Sequence, residues 1–335
     1  MPDTKKVNQL SSLIFNINSD EEFKQLALNV FQFQYSNNVI YHKWVNALKI
    51  SASNVLSVEQ IPFLPIQFFK NNKIISSAEH TNSVVFTSSA TTSQTPSRHI
   101  VNDINLYEKS FLTAFELFYG KPEEYCILAL LPNYLQRKGS SLVYMCNELI
   151  KITQHPDSGF FLNNIDELIA KIEKLKKIKQ KTLLIGVSYA LMDLADQKIK
   201  LNENFIVMET GGMKGTRKEM LKPELHAYLR QGFSNEKIHS EYGMTELLSQ
   251  AYSKGDEKFQ GPPWMKFLIR EVADPFNLMK TGRTGGINVI DLANLYSCSF
   301  IATQDLGKLD ENGKLELMGR YDNSDVRGCN LMMES

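Results

Sequence analysis

Three uninterrupted apolar runs restrict what this chain can fold into more than any other feature. Residues 125–131, 182–187 and 205–208 are almost wholly apolar, and runs of that length without polar alternation suit strands covered on both faces. Helical patterns lie around and between them. Tyr107, Phe111, Ala114, Phe115 and Phe118 mark an amphipathic helix stopped by Gly120 and Pro122. Further helices are expected at 141–152 and 165–178, the second capped by Asn164. A last short strand is expected at 237–240. Strands alternating with helices in this way predict an α/β fold with a largely parallel sheet, whose ligands bind beyond the carboxyl ends of the strands.

The first helix is announced by a capping box, Ser19 and Glu22, followed by the apolar stripe Phe23, Leu26, Ala27, Val30 and Phe31. Residues 60–70 are apolar but broken by Pro62 and Pro65, so they cannot form one helix. Packing onto the core is the simpler reading of that segment, lining a pocket the other. Lys plus Arg and Asp plus Glu both number 37, which leaves no global field for nucleic acid or a membrane surface. The basic helix carrying Lys171, Lys174, Lys176, Lys177 and Lys179 reads as a solvated face. No run is long enough to span a membrane, and no apolar leader follows Met1. Cys126, Cys146, Cys298 and Cys329 are scattered without a C-x-x-C pair, which argues against a disulfide framework or a zinc site and for the cytoplasm.

The chemistry concentrates in five loops. Residues 83–98 run from a short apolar strand, Val84 to Phe86, into a loop of hydroxyl and small side chains closed by Pro96 and Arg98. Consecutive N–H groups in such a loop form an anion site, to which Thr87, Ser88, Ser89, Thr91 and Thr92 add donors and Arg98 a charge. A plain surface loop accounts for the composition equally well. Glu209 to Gly215 pairs Gly211 with Gly212 after a strand, which lets a flat ligand approach the backbone or simply makes a tight turn. Glu241 to Glu246 sets Tyr242 for stacking on a base, Gly243 beside it, Thr245 for a phosphate and Glu246 for Mg²⁺. Asp305, within Thr303-Gln304-Asp305, is an acceptor for a ribose diol. Arg320, within Gly319-Arg320-Tyr321-Asp322, suits phosphate or ribose.

Taken in this order, the loops resemble the AMP-forming adenylating superfamily of acyl- and aryl-CoA synthetases and firefly luciferase. Its phosphate loop, T-S-G-T-T-G-x-P-K, is similar to the stretch ending at Ser97; its Y-G-x-T-E motif matches Tyr242 to Glu246 residue for residue; T-G-D and G-R-x-D match 303–305 and 319–322. The Pro-rich segment, Leu131-Pro132, Ser140 to Met145, Gly211 to Gly215 and Arg327-Gly328-Cys329 resemble one branch, the acyl-protein synthetases of the bacterial-luminescence type, the fatty-acid-activating subunits of a fatty acid reductase. That resemblance implies the N-terminal-type core of the superfamily: mainly parallel sheets flanked by helices, plus a distorted barrel. It implies an adenylating core over 1–320, helical to about residue 80. It also implies that residues 321–335 are a short tail carrying Cys329 in place of the small C-terminal lid domain.

The resemblance also implies a reaction. ATP and Mg²⁺ activate a fatty acid to acyl-AMP, and Cys329 takes the acyl group before passing it to an acyl reductase or another acceptor protein. Adenine falls near Gly211 to Gly215 and Tyr242, ribose on Asp305, phosphates on 87–92, Mg²⁺ on Glu246, and the acyl chain among Leu131, Tyr134, Tyr144 and Met145. Arg320 and Arg327 lie near enough in sequence to depress the Cys329 thiol pKa. Ala90, Ser93 and Gln304 stand where the motifs carry glycine, and Ser97 where the phosphate loop carries lysine. An adenylating ligase that uses CoA or a carrier protein, and a relative that binds without turnover, are the alternatives.

Overall fold

In a computed structural model, which describes residues 4–79, 81–89, 95–132, 137, 139–211 and 220–321, the apolar runs become the middle of a sheet. Its order is Gly159–Phe160, Cys126–Leu130, Thr182–Val187, Phe205–Thr210, Ile238–Tyr242 and Ala251–Ser253. The first five strands are parallel and the last is antiparallel. Cys126–Leu130 is buried at every position, as its unbroken apolar character requires. Leu128, Leu130, Leu184 and Val207 share a core with the helices Ile165–Lys177, Ser188–Ala195 and Lys222–Phe233. This sheet belongs to one of two compact units, Phe111–Met244 with Gln250–Phe259; the other comprises Met1–Ser110, Thr245–Ser249 and Gln260–Ser335.

The second architecture, in the unit that holds the N-terminus, is antiparallel. Met265–Arg270, Gly285–Asp291, Phe300–Leu309 and Leu315–Arg320 pair in sequence order, and Leu64–Pro65 adds a parallel pairing at Ile301 and Ala302. Register shifts between Gly286 and Asn288 and between Leu306 and Gly307 are bulges of the kind that bend a sheet. This is the barrel-like part of the expected fold. Helices Thr4–Ile14, Asp20–Asn37 and Val39–Ala47 precede it. The Glu22 amide donates to Ser19 Oγ at 3.2 Å, while the Glu22 carboxylate accepts from the Asn18 amide at 2.7 Å. The predicted stripe Phe23, Leu26, Ala27, Val30 and Phe31 is buried and runs on to Gln34. The Gln34 amide donates to the carbonyls of Asn294 and Leu295 at 2.9 and 3.0 Å and accepts from the Ser299 amide at 2.9 Å.

Residues 60–70 serve both readings of that segment. Ile61, Leu64, Ile66 and Phe69 are buried, and Ile61, Pro62, Phe63 and Pro65 also border a cavity of about 430 Å³. Two local expectations need correction. Asn164 stands at the helix start, but its amide donates to the Glu167 carboxylate at 2.5 Å and its side chain caps no backbone group. The last parallel strand runs to Tyr242 rather than stopping at Ser240, because Glu241 and Tyr242 pair with Tyr252 and Ala251 of the antiparallel edge. Among the described residues no helix is long and apolar enough to cross a membrane.

Gln34 gives a direct stability test. Gln34→Leu would strand the Ser299 N–H and the Leu295 carbonyl in the interior, the Asn294 carbonyl keeping the Ser297 amide, so it lowers unfolding free energy by about 2–4 kcal/mol despite added hydrophobicity. Urea denaturation checks this against the exposed Gln25→Leu, which stays within about 0.5 kcal/mol.

Candidate active site

The hydroxyl stretch closes a hairpin. Val84–Thr87 pairs antiparallel with Arg98–Val101, Thr87 opposite Arg98. Its base is tied twice: the Ser88 amide donates to the Ser97 carbonyl at 3.1 Å, and the Ser97 amide to Ser88 Oγ at 2.9 Å. It therefore does not lie at the end of a parallel strand, as the general rule for α/β sheets predicted. Phe86 is buried while Val84 and Val85 are half-buried, so the strand is not covered on both faces. Thr87 and Ser88 are half-buried, and Ser89 and Arg98 are exposed. Thr91, Thr92, Gly212, Tyr134 and Cys329 lie outside the described residues.

Three motif residues meet in the same unit. Asp305 and Arg320 are direct partners across the antiparallel pair Phe300–Leu309 and Leu315–Arg320, with Arg320 Nε 3.4 Å from Asp305 Oδ1. Glu246, 5% exposed, feels both charges. Its pKa is raised by burial; the Ser97 side chain and the Arg320 charge oppose the shift, and Asp305 adds to it. Thr245 is half-buried just before it. Among the described residues no group of three or more His, Cys, Asp or Glu could hold a resident metal. Mg²⁺ that arrives with phosphates needs only one or two carboxylates, and Glu246 fits that lesser demand.

The segment 245–249 is held almost entirely by buried polar groups. Asn294 Nδ2 donates to the Glu246 carbonyl at 2.7 Å. Asp291 accepts from the amides of Leu248 and Ser249 at 2.8 and 2.9 Å and from Ser249 Oγ at 2.6 Å. Burial pushes the Asp291 carboxyl up to about 6 against these donors. His99 reaches the Thr245 carbonyl through Nδ1 at 2.8 Å, and burial holds its imidazole down to about 4. Sequence reasoning missed all three residues. Single polar residues in otherwise apolar strands and turns carry no spacing signal, and only the fold shows what they grip.

The parallel-sheet unit holds the other motif residues. Gly211 ends the Phe205–Thr210 strand at φ 73°, a conformation that L side chains rarely adopt. At Gly243 a Cβ would lie 2.4 Å from Glu241 Oε1, so any larger residue there would push that carboxyl aside. Tyr242 is buried, with its ring edge-on to Phe259 at 5.9 Å. Leu131 and Met145 are buried and Tyr144 half-buried. Two acids on adjacent strands behave oppositely. Burial opposes ionisation of Glu209, but Lys222, His226 and Ser240 prevail and hold it at about 2. Burial raises Glu241 to about 7, although Thr210 Oγ1 donates to it; neighbouring Glu209 reinforces the rise.

Comparison with known proteins agrees with this arrangement. The sequence model of the family described as acyl-protein synthetase, LuxE, matches residues 10–335. A search among curated proteins gives no match. Among solved structures, ATP-bound MatB from Rhodopseudomonas palustris aligns with TM-score 0.52 at 18% identity, over 70% of this chain and 47% of that one. An open conformation of 2-hydroxyisobutyryl-CoA ligase, in complex with 2-HIB-AMP and CoA, aligns with TM-score 0.65 at 12% identity, over 92% and 72%. The chain thus spans about half the length of MatB. The fold is that of an adenylating-superfamily core, as the motifs implied.

The Glu241 carboxyl yields a pH signature. Its ordinary value is 4.5 and its folded value about 7, so between these the folded state keeps a proton that the unfolded chain has lost, and stability falls as pH rises. Glu241→Gln removes this titration, so the variant gains about 1–3 kcal/mol relative to wild type between pH 5 and 8.5. Urea denaturation at both pH values reads the gain; equal differences at the two would contradict it.

Proposed function

The chain belongs to the acyl-protein synthetase (LuxE) family, and from that premise we propose that it is an AMP-forming ligase that loads a fatty acid onto its own Cys329. In the first step the fatty acid carboxylate attacks the α-phosphorus of ATP, giving acyl-AMP and releasing pyrophosphate. In the second the Cys329 thiolate attacks the acyl carbonyl, giving a thioester and releasing AMP. The acyl group then passes to a partner protein, such as an acyl reductase. A thiol acceptor of this kind requires a reducing compartment, which favours the cytoplasm.

The observation that carries this reading is the meeting of Glu246, Asp305 and Arg320, drawn from three motifs far apart in sequence. Arg320, with its side chain 59% exposed, would meet the anionic nucleotide, and Asp305 would accept from a ribose diol. Glu246 would hold Mg²⁺, which when bound neutralises phosphate charge. Thr87, Ser88, Ser89, Thr91, Thr92, Thr245 and Arg98 would receive phosphates, and Gly211, Gly212, Tyr242 and Gly243 the base. The other cysteines suit the acceptor role poorly. Cys126, Cys146 and Cys298 are buried free thiols, and burial pushes Cys126 up to about 11, Cys298 up to about 12 and Cys146 higher still. Thiols so protonated react slowly.

Two variants separate the steps. Cys329→Ser retains acyl-AMP formation and loses the hydroxylamine-labile acyl-protein band on a denaturing gel with labelled fatty acid. A band that persists would move the acceptor to another residue; acyl-AMP without a band in wild type would favour CoA or a carrier protein. Glu246→Ala lowers acyl-AMP formation by about 10²–10³-fold, the usual cost of removing one charge-organising group.

A further inference from the structure

We propose that His99 is a positioning residue that couples the hydroxyl-loop hairpin to the Thr245–Glu246 dipeptide, an inference that rests on the adenylating role given to Glu246. A carbonyl oxygen can only accept, so the 2.8 Å contact from His99 Nδ1 to Thr245 O requires the proton on Nδ1. Nε2 is then an acceptor, and Ser297 Oγ donates to it at 2.8 Å. The imidazole has one available tautomer and one orientation.

Ser297 is itself fixed. Its carbonyl accepts from Asn38 Nδ2 at 2.9 Å and from Ser76 Oγ at 2.5 Å, and Asn38 is the residue that caps the Val39–Ala47 helix. Phe69 meets the His99 ring edge-on at 5.6 Å, so the Pro-rich segment closes the pocket around it. His99 is 1% exposed and lies two residues after Ser97, whose side chain favours the ionised form of the Glu246 carboxyl. The strand Arg98–Val101 therefore holds the dipeptide through its backbone by His99, and Ser97, just before that strand, acts on its carboxyl. Side chains that orient a metal-binding carboxylate in this manner matter almost as much as the ligand.

The test uses the full chain and three versions of residue 99. Asn carries an amide donor near the place of Nδ1, so His99→Asn keeps the bond to Thr245. His99→Phe keeps the ring and loses it. Calorimetric titration with Mg·ATP and hydrogen exchange of the 243–249 peptide are the readouts. His99→Phe is expected to weaken Mg·ATP binding by about 10-fold or more and to speed exchange in 243–249, with His99→Asn within about 3-fold of wild type in both. Equal effects of the two variants, or exchange raised uniformly across the protein in His99→Phe, would reduce His99 to a core residue and overturn the proposal. Wild type that fails to bind Mg·ATP would overturn the adenylating role, while the exchange comparison would still decide what His99 holds.

Discussion

The buried polar grip on residues 245–249 is the constraint on which the candidate site depends. Asp291 satisfies two amides and a hydroxyl, Asn294 one carbonyl and His99 another. Each backbone group would otherwise be stranded in the interior at a cost of about 1–3 kcal/mol. An apolar packing could bury the segment as well, but it would not specify which way Glu246 faces. Hydrogen bonds do specify it, because each donor answers one acceptor in one direction. The cost of desolvating Asp291, visible in its pKa of about 6, is offset by these three donors and a fourth, the Ala293 amide at 3.1 Å.

The same logic separates Glu209 from Glu241 in the parallel sheet. Glu209 pairs with Ser240 and Thr210 with Glu241 across adjacent strands, and because side chains alternate along a strand the two carboxyl groups enter the interior from opposite faces of the sheet. The helix Lys222–Phe233 supplies one with a cation, Lys222, and the sheet supplies the other with a hydroxyl, Thr210. One ionises and its neighbour resists. Lys222 lies beyond the glycine-rich loop and Glu209 just before it, so their ion pair joins the two ends of that loop.

Much of this architecture was legible before any coordinates. Unbroken apolar runs identified the central parallel strands because a strand covered on both faces has no polar alternation. The Tyr242 to Glu246 motif located the superfamily because four specified residue types within five positions seldom arise by chance. What stayed hidden was long-range and polar. Nothing at Gln34, His99 or Asp291 distinguishes it from a surface residue until the partners, hundreds of residues away in some cases, are brought near. The hairpin around the hydroxyl stretch was hidden for another reason. Residues 98–101 are too short and mixed a run to announce a strand, and their pairing with 84–87 is what makes them one. The pairing of Asp305 with Arg320 likewise follows from a register that two bulged strands determine.

The central claim is that this core makes acyl-AMP, and fatty-acid-dependent exchange of labelled pyrophosphate into ATP tests it most directly. The account predicts exchange that requires both Mg²⁺ and a fatty acid and that survives in Cys329→Ser, since the thiol acts after adenylation. Absence of exchange with fatty acids of every length, or release of ADP and phosphate in place of AMP and pyrophosphate, would contradict it.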